Sequence, residues 1–267
     1  MDATSSSAVP SSDAPARPTE SWRLDDLVFE TFVEPRDSLG AARARVVAEL
    51  LTLCRENTTF DASHLLVHEI DHATWLNVVR RAGAVVGFVM ASLLELDGDW
   101  VLYLNFMVFG REARGRNLLT RQLEYLLRSA ASRRNGEDFY LVSLSGNAQV
   151  VGAVHHYPWA YPRPGRATPP RLRKIARALA TTLYPELRFD EEPPIVRKIS
   201  PQDLSVHGLP RHRDRRVNEF CDRHLDYAAG DEIVLVGRIG LPQRLGIYAA
   251  CRAALLRAWL RRWQSAR

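Results

Sequence analysis

Apolar residues along this chain fall into two periods. Compact runs of strand length occupy Leu27 to Val33, Ala73 to Arg80, Ala84 to Leu94, Trp100 to Val108, Phe139 to Leu144, Ile195 to Ile199 and Glu232 to Gly240. Their β-branched and aromatic content predicts strands. Helical spacing runs through Leu39, Val46, Val47, Leu50 and Leu51, with Asp37 as the expected cap. It returns through Leu119, Leu123, Leu126, Leu127 and Ala130, a helix that Asn135-Gly136 should end. Asn147 is placed to cap a short helix ending near Tyr157, Arg171 to Leu183 reads as a basic helix, and Pro242 opens a last one. Asp97-Gly98 is a two-residue hairpin signal, and Arg81-Ala82-Gly83 joins the preceding pair of strands.

The order is strand, helix, three antiparallel strands, helix, strand, helix, then two late strands. It predicts an α/β domain with a mixed, mostly antiparallel sheet. A strand–helix–strand crossover is nearly always right-handed and parallel, which sets Phe139 to Leu144 beside Trp100 to Val108. There is no internal repeat, and no apolar run of the roughly 18 residues that a membrane span needs.

With 46% apolar and 25% charged residues, the chain lies in the ordinary globular range. Cys54, Cys221 and Cys251 are odd in number and far apart, so neither a disulfide framework nor a four-thiolate zinc site can be drawn from them. A reducing, cytoplasmic compartment is expected. Met1 to Glu20 is rich in Ser, Ala and Pro and lacks the apolar run of a secretory signal. Residues 1–22 are expected to be a disordered leader, 23–240 a domain with an insertion at 158–191, and 241–267 a basic amphipathic helix.

The net charge is +5, yet seven arginines and no acid follow Glu232, so the remainder is 5 − 7 = −2. Basic character therefore belongs to the tail. On that last helix Leu245, Tyr248, Leu255, Leu256, Trp259, Leu260 and Trp263 share a broad face opposite Arg257 and Arg261. This face either docks on the domain or lies peripherally in a membrane interface. Arg252 falls inside it and needs water or an acid. Arg163, Arg166, Arg171, Arg173, Lys174 and Arg177 cluster without a recognised nucleic-acid module, and no nucleic acid partner is expected.

The chemistry concentrates at Val108-Phe109-Gly110-Arg111-Glu112-Ala113-Arg114-Gly115-Arg116-Asn117-Leu118-Leu119-Thr120. A tight turn feeding a helix N-terminus offers unpaired N–H groups at a positive dipole end, a cradle for a pyrophosphate. The amides from Gly115 through Arg116, Asn117, Leu118 and Leu119 to Thr120 are the expected donors, with Arg114 and Arg116 adding charge. This segment resembles the acyl-CoA loop of the GCN5-related N-acetyltransferases, the GNAT superfamily. Arg114 and Gly115 match its motif; Asn117 and Leu119 stand where small residues are usual.

The resemblance implies a GNAT fold with splayed central parallel strands and flanking helices. It implies acetyl-CoA or another acyl-CoA as co-substrate, its pantetheine arm paired with the edge of Phe106, Met107 and Val108 and reaching toward Asn147. The thioester would lie near Asn105 and Phe106, where a primary amine of a small molecule or peptide attacks it directly in a ternary complex. The basic cluster would meet the 3′-phosphate of the coenzyme. Trp100 to Val108 holds no carboxylate, so the general base must be Glu30, Glu69, His156 or water, and Tyr157 is the expected thiolate-protonating acid. A catalytically silent binding module with this fold is the alternative. His68-Glu69-Ile70-Asp71-His72 is also a literal H-E-x-x-H, the pattern of a zinc hydrolase when helical. The strand pattern that follows at Ala73 argues instead for a polar loop beside the acceptor pocket, and no metal is expected.

Overall fold

The computed structural model describes residues 17–58, 61–113, 116, 118–155, 157–200 and 211–265, the side chains of 255, 258, 259 and 261–265 excepted. Four expected site residues, Arg114, Gly115, Asn117 and His156, lie outside the described residues, as do the side chains of Leu255, Trp259 and Trp263.

The first apolar run forms β2 (Leu27–Val33), but a strand precedes it: β1 (Glu20–Leu24) pairs antiparallel with β2 and stacks Trp22 on Phe29 at 3.7 Å. The stretch expected as leader thus ends in the sheet. Pro35 opens the single turn α1 (Pro35–Ser38) after Glu34 takes a left-handed φ of 47°. The fixed φ of proline suits a helix start, so the chain turns before Asp37 and leaves it inside. Asp37 is therefore no cap; α2 (Arg43–Asn57) begins later, with no side-chain cap. Next, α3 (Ser63–His72) is followed by β3 (Trp75–Arg81), β4 (Ala84–Leu96) and β5 (Asp99–Phe109). Both hairpin turns use positive φ, at Ala82 and Gly83 and at Asp97 and Gly98.

A helix and strand then repeat: α4 (Leu118–Arg133), β6 (Phe139–Ser145), and α5 (Ala148–Val154), whose first turn is capped by Asn147 accepting from the Gln149 N–H at 2.8 Å. The remaining elements are β7 (Ala160–Tyr161), α6 (Pro170–Leu183), β8 (Phe189–Glu191), β9 (Pro194–Val196), α7 (Arg215–His224), β10 (Glu232–Ile239) and α8 (Leu241–Ser265).

The strands form one sheet in the order β1-β2-β3-β4-β5-β6-β10-β9-β8, with β7 also on β10. As the sequence predicts, β5 and β6 are the parallel pair among antiparallel neighbours. On one face, α2 and α3 cover β2 to β5 through Leu50, Leu66, Ile70, Phe88 and Met90, each wholly buried. On that same face α6 packs Ile175 and Leu179 against Tyr103, Val142 and Val236. Each such aliphatic side chain contributes roughly 2 kcal/mol by leaving water. The stretch 158–191, expected as an insertion, therefore includes a core helix: without it half of one sheet face would be bare. The opposite face carries α4, α5, α7 and α8.

Candidate functional site

The site grows from an irregularity in β5. Met90 pairs with Phe106 and Ala91 with Leu104, so Asn105 is an extra residue in the ladder. A bulge of this kind puts two successive side chains on one face and leaves a residue unpaired. Asn105 and Phe106 accordingly both meet the α2–α3 side, while Leu104 and Met107 face the other. At the same level β5 and β6 part company: their pairing runs from Val101 and Tyr140 to Leu104 and Ser143 and stops, although β5 continues to Phe109. Beyond Leu104 the two parallel strands are splayed.

On the α4–α5 side the splay opens into an apolar cavity of about 550 Å³. Met107, Leu119, Thr120, Asn147 and Tyr157, all expected around the coenzyme, line it together. Leu119, which the helix pattern put on an apolar stripe of α4, is 44% exposed and faces the cavity rather than a core. The side chains of Phe106 and Val108 pack into the core under α2 and α3, which leaves their backbone to serve the opening. Leu118 is buried beneath β2 and β3. Arg116 forms an ion pair with Asp26 at 2.5 Å. With Arg81 it holds that carboxyl down to about 2, so its charge is already engaged. The roof of the cavity was not foreseen: Ile247, Ala250, Cys251 and Ala254 of α8 close it, and Trp159 walls its far end beside Gly237.

Tyr157 follows α5, its ring 5.2 Å from that of Trp159. Burial pushes its phenol up, which favours the protonated form. His155, by contrast, bonds the Pro162 carbonyl at 2.9 Å, and burial lowers its pKa. It belongs to a neighbouring cleft with Arg163 and His212.

On the other face of the sheet, behind the bulge, lies a buried hydrogen-bond chain. Ser92 Oγ has one proton to share between the His72 carbonyl at 2.7 Å and the Asn105 side-chain oxygen at 3.0 Å, and Asn105 Nδ2 donates to Glu69 Oε2 at 2.6 Å. Tyr184 OH donates to Glu69 Oε1 at 3.0 Å and lies 2.9 Å from the Tyr103 hydroxyl, which must then donate to it. Glu69 is 1% exposed, and these donors offset part of the cost of burying its charge. His68, 42% exposed at its side chain, brings Nδ1 to 3.6 Å from the same carboxylate, which raises the imidazole pKa. Burial lifts nearby Glu232 to about 7, and repulsion by Glu69 adds to this, although Ser200 donates to it at 2.6 Å.

Of the expected bases among the described residues, Glu69 is placed at the bulge, while Glu30 is taken by Arg80 at 2.8 Å. The H-E-x-x-H stretch is helical, not the loop expected, and sets the His68 and His72 rings 4.4 Å apart between centroids, tilted by 32°. His72 Nδ1 turns to the His68 carbonyl at 2.8 Å. Among the described residues no three His, Cys, Asp or Glu are arranged to hold a metal ion. Sequence reasoning missed Ser92, Tyr103, Tyr184 and Glu232. Tyr184 carries no local signal, since only the packing of α6 on the sheet brings it there.

No protein-family model and no curated protein matches the chain. Similar solved structures include a GNAT family N-acetyltransferase from Escherichia coli in complex with CoA, 19% identical over 51% of this chain and 75% of that one, with a TM-score of 0.36. A ribosomal-protein-S5-alanine acetyltransferase from Vibrio fischeri is 13% identical over 81% and 95% of the two chains, with a TM-score of 0.38. A GNAT family acetyltransferase from Elizabethkingia anophelis with acetyl-CoA bound is 10% identical over 81% and 100%, with a TM-score of 0.39.

Proposed function

We propose that this chain is a GNAT-type N-acyltransferase that moves an acyl group, acetyl in the simplest case, from acyl-CoA to a primary amine of a small molecule or peptide. The observation that carries this reading is the coincidence at Asn105. One side of the splayed strands holds an apolar cavity of about 550 Å³, and the other holds a buried carboxylate, with the bulge between them. The α4 N-terminus beside the cavity supplies amides for the pyrophosphate. The unpaired β5 edge from Phe106 to Val108 supplies backbone partners for the pantetheine amides.

In this reading Glu69 takes the proton of the acceptor ammonium, and His68 passes it to solvent. The free amine attacks the thioester carbonyl and the C–S bond breaks as the C–N bond forms; Tyr157 protonates the departing thiolate, and the second proton that the nitrogen loses on becoming an amide returns through water to the Tyr157 phenolate. Asn105 is a positioning residue, because its amide nitrogen is committed to Glu69. The test is coenzyme-dependent thermal stabilisation followed by thiol release with an amine panel. A chain that neither acetyl-CoA nor CoA stabilises at saturating concentration lacks the proposed activity. Stabilisation without release on any amine would favour the binding-module alternative.

A further inference from the structure

The last helix has two apolar faces, and the fold buries one of them. At about 100° per residue, Arg244, Ile247 and Cys251 project toward the domain, where they are 5%, 2% and 4% exposed. Arg244 is anchored there, donating to the carbonyls of Gly136 and Glu137. Leu241, Leu245, Leu256 and Leu260 project to the other side and are 59%, 57%, 57% and 41% exposed. One exposed leucine needs no explanation. These four are the majority of the six large hydrophobic side chains found exposed among the described residues, and they share one stripe of one helix.

Charge selects the occupant of that stripe. Residues 241–267 hold six arginines and no Asp or Glu. Arg252 is 68% exposed at its side chain and reaches Glu124 of α4 at 3.0 Å; Arg257 is exposed. Two copies of α8 packed stripe to stripe would set arginines against arginines with no acid of that helix to answer them. An apolar strip with Arg252 within it, drawn aside to Glu124, and Arg257 at its edge fits a surface that is oily beneath and negative at its boundary. No described helix is long and apolar enough to cross a membrane, so this one would lie in the interface.

We propose that the outer face of α8 docks on anionic lipid bilayers, with Leu241, Leu245, Leu256 and Leu260 among the acyl chains. The cavity roof would then rest at the headgroup level, on the membrane side of the domain. The test is cosedimentation of the full chain with vesicles of phosphatidylcholine alone or mixed with phosphatidylglycerol. Binding is expected only to the mixed vesicles, weakening as salt rises. Leu245→Glu/Leu256→Glu should weaken it by at least about tenfold, and Arg257→Glu by less. Both sites are exposed, so the variants should melt as wild type does. Absence of binding to the mixed vesicles would overturn the proposal, as would equal binding to neutral ones or wild-type binding by the double variant. Dimerisation that the double variant abolishes, without vesicle binding, would assign the stripe to a second copy.

Discussion

At the residue scale, two carboxylates on one face of the sheet have different parts. Glu69 receives hydrogen bonds from Asn105 and Tyr184, so Glu69→Gln keeps its shape while removing its basicity. The expected outcome is a fall in kcat of roughly 10²-fold or more, with coenzyme affinity unchanged in a thermal-shift titration. Glu232 is the reverse case, a carboxyl whose charge the fold disfavours. Its folded pKa of about 7 lies above the unfolded value, so stability is highest below the unfolded pKa and declines as pH rises to about 7. Glu232→Gln should flatten that decline in denaturant titrations across the range, gaining at most ~3 kcal/mol above pH 7 and less where water reaches the group. Tyr157→Phe should slow thiol release while leaving coenzyme binding intact. Full retention of rate would remove Tyr157 as the acid.

At the element scale, turns and the crossover were legible in the sequence because their signals are local. Asp97-Gly98 gave the hairpin, Asn135-Gly136 the end of α4, and the β5–α4–β6 order the parallel pair. β1 was not legible: Glu20 to Leu24 is short and polar, and only pairing with β2 makes it a strand. The role of α6 was hidden for a related reason, since its basic outer face masks an apolar inner one. Of the residues named from the loop and from the α5 cap, Leu119, Thr120 and Asn147 line the cavity. On the other face Glu69 and Asn105 were named in sequence but Tyr184 was not, because only a helix docking on a sheet unites the three. Gly237 gives this scale its own test. A Cβ there would stand 2.5 Å from the Trp159 ring, which walls the cavity. Gly237→Ala should push the indole into the opening and weaken coenzyme binding more than it lowers Tm, measured side by side.

At the scale of the whole molecule, one sheet carries both halves of the candidate site, and β10 joins its second half together. β10 pairs with β6, β7 and β9, and α6 packs across it. Its residues lie nearly a hundred positions after those of β6, so a large loop must close before that half gains its pairings. The meander from β1 to β5, built of neighbours in sequence, carries no such delay. Folding should therefore proceed in sequence order, the half that bears Glu69 first and the half from β6 onward only after the chain has been made as far as Ile239. A ribosome-bound chain halted before β10 emerges would already hold Glu69 and Asn105 on paired strands and helices, but would have an open edge along β6 and no closed chamber for a coenzyme.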